Sequence, residues 1–237
     1  MTGGTIAERW REVRARVDAA CRAAGRDPGE VTLIAVSKTH PASAVREAAA
    51  AGATDFGENY AQELATKRAE LKEMEPGGVV PTGGADVRWH FIGRLQRNKA
   101  KLVAGHVALV HAVDSVELAA ELGKRAAGVQ PVLLAVNVAG ETTKGGVREA
   151  DAPALARAVA ATANVRLDGL MTMPPPGEDP RRYFDALRAL RDRLAADIGP
   201  LPVLSMGMSG DFEAAIACGA THVRIGTAIF GERPRVD

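Results

Sequence analysis

The chain has 237 residues, 46% hydrophobic and 25% charged, which fits one globular unit long enough to bury a sizeable core. A formal net charge of +1 gives no overall electrostatic attraction to nucleic acid or a membrane surface, and no apolar run reaches the length that spans a bilayer. The charged N-terminus has no signal-peptide core, and Cys21 and Cys218 lie far apart outside any CxxC pattern, so a cytoplasmic protein without a zinc site or disulfide framework is expected.

Ile6, Trp10, Val13 and Val17 fall at helical spacing, which predicts a leading helix over about 5–24, closed by the turn GRDPGE (25–30). From there apolar runs and amphipathic stretches alternate. VTLIAVSK (31–38) reads as a strand, and 41–52 as a helix ended by Gly52. ATDFGEN (53–59) is a strand, 60–75 a helix, and PGGVVPTGGA (76–85) a Gly/Pro-rich loop. VRWHFIG (87–93) is a strand before a helix at 95–104, and HVALVHAV (106–113) a strand before a helix at 115–127. QPVLLAVNV (130–138) is a strand, followed by a polar loop at 139–147 and a helix at 151–163. VRLDGLMT (165–172) is a strand, followed by the loop MPPPGEDP (173–180) and a long helix at 181–197. LPVLSMG (201–207) is a strand before a helix at 210–218, and THVRIGT (221–227) is the last strand.

Strands that read as buried on both faces, alternating with helices, imply a parallel sheet with right-handed crossovers. Eight such units in about 200 residues predict a single (β/α)8 TIM barrel over 1–237, carrying one extra N-terminal helix. An open doubly wound sheet is the alternative; no G-x-G-x-x-G follows the first strand to support it.

In a barrel the chemistry belongs at the C-terminal ends of the strands. Those ends carry Lys38, Glu58 and Asn59, His90 and Gly93, Asp114, Asn137, Met171 to Met173, Ser205 to Ser209, and Arg224, Gly226 and Thr227. In SMGMSGDFEAAI (205–216), Ser209 is a candidate N-cap, with Gly210 and Asp211 opening the first turn of a helix. Together with VRIGT (223–227), it occupies the two loops where barrels commonly bind phosphate. A lysine on the same face, Lys38, suggests Schiff-base chemistry with an aldehyde that carries a phosphate. That aldehyde is either a sugar phosphate or pyridoxal 5′-phosphate. Arg94, Arg97, Lys99, Lys101 and Lys67 form a basic group read as a solvated helical face. Lys144 reads as a loop lysine, His90 as a satisfied core histidine, and the five histidines show no metal-ligand spacing.

AVSKTHP, FGENYAQE, WHFIGRLQRNK, GLMTMPP and LSMGMSGDFEAAIACGATHVRIGTAIFGER resemble the pyridoxal phosphate homeostasis proteins over about residues 30–233. That family is similar to the barrel domain of alanine racemase standing alone. The resemblance implies that pyridoxal 5′-phosphate is held as a Schiff base on Lys38. It implies phosphate binding at Ser209, Gly226 and Thr227 with Met208 and Ser205 nearby, Arg224 facing the pyridine nitrogen, and Asn59 near the ring. An arginine there leaves the ring nitrogen unprotonated and weakens carbanion stabilisation. Alanine racemase takes a tyrosine base from a second domain; here the only tyrosines are Tyr60 and Tyr183, and neither is an evident second base. The expected function is therefore cofactor holding without robust catalysis, with delivery to pyridoxal phosphate-dependent apo-enzymes, as a monomer or weak dimer. A small amino acid racemase is the alternative.

Overall fold

The computed structural model describes residues 4–74, 87–140 and 145–232. The Gly/Pro-rich stretch 76–85 and Lys144 lie outside the described residues. Helix α1 (Ile6–Ala23) starts at Thr5, whose hydroxyl accepts from the Glu8 N–H while the Glu8 carboxylate accepts from the Thr5 N–H. Its stripe of Trp10, Val13, Val17 and Cys21 is buried, and the helix packs on its neighbours from both ends of the chain.

The strands are β1 (Thr32–Val36), β2 (Asp55–Glu58), β3 (Arg88–Phe91), β4 (Leu109–Val113), β5 (Gln130–Asn137), the two-residue β6 (Val147–Arg148), β7 (Val165–Met171), β8 (Val203–Ser205) and β9 (His222–Ile225). The connecting helices are α2 (Ala42–Ala50), α3 (Ala61–Met74), α4 (Val116–Arg125), α5 (Ala152–Ala160), α6 (Arg181–Ile198), α7 (Phe212–Ala217) and α8 (Thr227–Phe230). All strand pairings are parallel. The order runs β4-β3-β2-β1-β9-β8-β7-β5, and β5 pairs back with β4, closing an eight-stranded barrel. The expected (β/α)8 barrel with its extra N-terminal helix is therefore the observed fold.

Three local features differ from the sequence reading. The expected helix at 95–104 is a 3₁₀ helix, Arg97–Leu102, in which only Ala100 is buried. That segment has no apolar stripe to hold an α-helix on the barrel. The segment after the last strand forms a short helix, α8, entered through Gly226, and β6 adds a small ladder beside the end of β5.

Alternating strand residues divide between two environments. Leu33, Ala35 and Phe56 join the large apolar cluster between strands and helices. Each fully buried Leu, Ile or Phe there contributes about 1.5–3 kcal/mol. Inside the barrel the apolar cluster is small, comprising Leu109, Ala112, Leu133, Ala135 and Met171. Buried polar groups occupy much of the remaining barrel: Asp55, His90, His111, Ser205 and Arg224. The register sets Ile34 beside both Asp55 and Arg224, so these two charged side chains enter the barrel from flanking strands.

Candidate functional site

Past the end of β1 the chain turns sharply through Ser37, Lys38 and Thr39. Thr39 has φ 66°, a left-handed conformation that a β-branched residue adopts only when neighbours hold it. The holding groups come from β2 and α3. The Glu63 carboxylate accepts the Thr39 N–H, and the Lys67 ammonium donates to the Ser37 carbonyl at 2.7 Å. Lys67 also donates to Glu58 Oε1 at 2.6 Å and to Glu63 Oε1 at 2.7 Å, so all three of its donors are used. The Ser37 hydroxyl donates to the same Glu58 oxygen at 2.6 Å. Burial raises the Glu58 pKa, and Lys67 opposes that rise. Lys67 is 3% exposed, so the expected solvated role is corrected: it is the buried anchor of the lysine turn. The Glu63–Lys67 spacing of four within a helix, next to a strand ending in Glu58, was the available signal. The rest of the basic group, Arg94, Arg97, Lys99 and Lys101, is exposed, and Arg94 also lines the rim of the site.

At the C-terminal mouth of the barrel lies a cavity of about 520 Å³. Lys38, half-buried, lines it together with Asn59, Met208, Ser209, Arg224, Gly226 and Thr227. Seven of the eight residues singled out in the sequence thus meet in one cavity. Ser205, the eighth, does not line it. It is fully buried, and its hydroxyl accepts from Arg224 Nη1 at 2.6 Å. Arg224 Nη2 donates to the Thr172 carbonyl at 3.0 Å. Burial lowers the Arg224 pKa to about 10, which leaves it cationic at neutral pH.

The rim is built from two tight turns. Gly207 has φ 94°, and a Cβ there would stand 2.6 Å from the Ala215 side chain, so the turn before α7 requires glycine. The N-cap of α7 is Asp211 and not Ser209; the Asp211 carboxylate accepts the Met208 N–H at 2.6 Å. Ser209 is thereby left in the turn beside the cavity. Opposite it, Thr227 begins α8, whose first N–H groups have no partner within the helix. Asn59 Oδ1 is buried at the cavity edge without a hydrogen-bond partner.

His90 does not stand at this mouth. With Asp55, Arg88, Arg166 and His222 it lines a second, smaller cavity of about 210 Å³ at the opposite end, where the strands begin. Its ring bonds Asp55 at 2.9 Å and His111 at 3.0 Å, as a satisfied core histidine should. Tyr183 bonds Glu178, away from the cavity. Among the described residues no histidine, tyrosine or cysteine lines the site. No group of three His, Cys, Asp or Glu among them is placed to hold a metal ion, and no helix among them is long and apolar enough to cross a membrane. Asp114, Asn137 and Thr172 also line the cavity; Asp114 and Asn137 were read only as strand ends, and Thr172 ends an apolar strand. Chemically, the cavity offers an amine on one wall, a buried cation at the floor and hydroxyl and N–H donors at the rim. That set suits a planar carbonyl compound bearing an anionic tail.

A profile of the alanine racemase N-terminal domain matches residues 6–234. The chain is 50% identical over 232 residues to the pyridoxal phosphate homeostasis protein of Pseudomonas aeruginosa, covering 97% of this chain and 96% of that one. It is 46% identical over 233 residues to the protein of the same name from Aquifex aeolicus, covering 95% and 97%. Among solved structures, PipY of Synechococcus elongatus PCC7942 with PLP bound superposes with a TM-score of 0.80 at 36% identity, covering 95% of this chain and all of that one.

Proposed function

The chain belongs to the alanine racemase N-terminal domain family, and from that premise we propose that it holds pyridoxal 5′-phosphate on Lys38 as a homeostasis protein without robust catalysis. The observation that carries this reading is the meeting of Lys38, Arg224, Ser209 and Thr227 in one cavity. Its volume of about 520 Å³ is within the range of small-ligand sites. The donor set fits the group, and the unpartnered Asn59 Oδ1 fits it too, since the ring carries a hydroxyl able to donate there. When bound, the group supplies an electrophilic aldehyde and a conjugated ring that withdraws electrons. Lys38 Nζ is the amine that would hold the aldehyde. Arg224, always a donor, is the residue that would face the ring nitrogen without giving it a proton. Ser209, Thr227 and the N–H groups around Gly210 and Gly226 would hold the phosphate.

The case against robust catalysis comes from the same residues. Racemisation needs a base on each face of the substrate. Among the described lining residues Lys38 is the one amine and Asp114 the one carboxylate. Delivery of the cofactor to apo-enzymes, by a monomer or weak dimer, belongs to the same proposal.

The test combines a spectroscopic titration with pyridoxal 5′-phosphate and a deuterium-exchange assay at Cα over a panel of amino acids. Saturable binding with exchange no faster than free cofactor is expected. Exchange well above free cofactor would make the protein a racemase-type enzyme, and absence of saturable binding would remove the reading altogether.

A further inference from the structure

The polar groups inside the barrel form one connected chain from the cofactor-side floor to the opposite mouth. Arg224 Nη1 donates to Ser205 Oγ at 2.6 Å. Ser205 Oγ meets His111 Nδ1 at 2.8 Å, His111 Nε2 meets His90 Nδ1 at 3.0 Å, and His90 Nε2 meets Asp55 Oδ1 at 2.9 Å. Asp55 is in turn gripped by Arg88 through both oxygens, at 3.0 and 2.7 Å. The five groups of this chain come from five different strands, β9, β8, β4, β3 and β2.

The two ends fix the direction of the first and last links. Guanidinium has donors only, so Ser205 Oγ must accept from Arg224. Ser205 Oγ keeps a second lone pair, so the direction of its own proton is set from the other end of the chain. Carboxylate has acceptors only, so His90 Nε2 must carry a proton and donate to Asp55. With Nε2 alone protonated, its Nδ1 accepts from His111 Nε2–H. His111 as a neutral Nε2–H tautomer then has a bare Nδ1 to take the Ser205 proton, and every link is satisfied. Burial, reinforced by His90, His222 and Arg224, holds the His111 pKa well below the usual histidine range, which agrees with a neutral ring.

We propose that His111 is a positioning residue for Arg224, acting through the Ser205 hydroxyl. By taking the Ser205 proton, His111 turns the serine lone pairs towards the guanidinium and fixes the cation at the floor of the cavity. Asp55 and His90 set the His111 tautomer from the far end of the barrel. This inference rests on the cofactor reading for its consequence, but the chain itself exists in the ligand-free protein.

Nitrogen-detected NMR of the ligand-free protein at neutral pH tests the chain directly. His111 is expected with a bare Nδ1 and a protonated Nε2, and Arg224 with slowly rotating, separately resolved Nη signals. An Nδ1–H tautomer or an imidazolium at His111 would overturn the proposal. In His111→Phe and Ser205→Ala the Arg224 signals are expected to merge as the guanidinium is released. Each variant should weaken pyridoxal 5′-phosphate binding about tenfold, the loss expected when a hydrogen bond to a charged group is removed. The double variant should also lose about tenfold, since both act on one link. A double loss of about a hundredfold, or unchanged Arg224 signals in His111→Phe, would show that the two residues do not act through each other. If the wild-type protein binds no pyridoxal 5′-phosphate, the cofactor reading fails while the NMR result still decides the chain. If His111→Phe does not fold, the tautomer measurement on wild type decides it alone.

Discussion

Replacing Lys67 with methionine is expected to destabilise the protein by about 3–5 kcal/mol, the range seen when one partner of a buried ion pair is removed. The side chain is 4% exposed and that of Glu58 is fully buried, so no water replaces the lost ammonium. Glu58 already has its pKa raised by burial, and without Lys67 it must take up a proton or stand as an unpaired buried charge. Glu58 Oε2 has no hydrogen-bond partner even in the intact network, so the carboxyl has little to fall back on. For a chain of this size the melting temperature should fall on the order of 10 °C. The double variant Lys67→Met with Glu58→Gln should recover part of the loss, because it removes the stranded charge together with its partner. The effect should also reach Lys38. Lys67 holds the Ser37 carbonyl and Glu63 holds the Thr39 N–H, so the turn that aims the lysine loses its anchor. Denaturant titration checks the first claim. A Lys67→Met protein within about 1 kcal/mol of wild type would contradict the buried-anchor role, since that is the worth of an exposed pair.

Stability is expected to fall as pH drops from about 6.5 towards 4.5, a window in which the buried histidines dominate. His111 is held neutral by burial, then by the neighbouring His90, His222 and Arg224; burial, with His90 next, lowers His222 to about 3. In the unfolded chain both rings protonate near pH 6.5. Below that pH the unfolded state binds protons that the native state refuses, so protonation favours unfolding. Each histidine then removes about 1.4 kcal/mol per pH unit, until its own folded pKa is reached. Asp55 adds a separate loss at lower pH. Burial alone would raise its pKa, but hydrogen bonds from His90 and Arg88 outweigh it and hold it well below the usual carboxylate value. Its contribution is present above the unfolded carboxylate pKa and disappears as pH falls through the folded value. Urea midpoints measured across pH 7.5 to 4.5 should decline, and His111→Gln should flatten the decline by about one histidine's share. A level stability across that window would contradict the neutral, buried histidines.

The sequence made the barrel legible where strands are apolar on both faces. VTLIAV and QPVLLAVNV could lie only in a covered sheet, and the helices between them carry clear amphipathic stripes. The cavity residues were legible because Gly, Ser and Thr clusters at strand ends have few structural reasons to recur. The barrel interior was not. His111 lies within HVALVHAV, where a polar residue in a strand reads equally as outward-facing, and only the curvature of a closed sheet turns it inward. Lys67 was misread for the opposite reason. A lysine in the charged segment AQELATKRAELKEM looks solvated, and only the approach of Glu58 and the Ser37 carbonyl from other elements gives its ammonium a buried partner. Ser205 was expected beside the cofactor phosphate, but it is the last residue of β8 and its hydroxyl meets Arg224 instead of lining the cavity.

The central claim is that Lys38 carries the cofactor, and one measurement tests it most directly. Protein loaded with pyridoxal 5′-phosphate is reduced with borohydride, digested, and mapped by mass, beside Lys38→Ala treated in the same way. The expected result is a phosphopyridoxyl mass on the peptide containing Lys38, and no fixed cofactor in the variant. Fixation on another lysine while Lys38 stays unmodified would contradict the account.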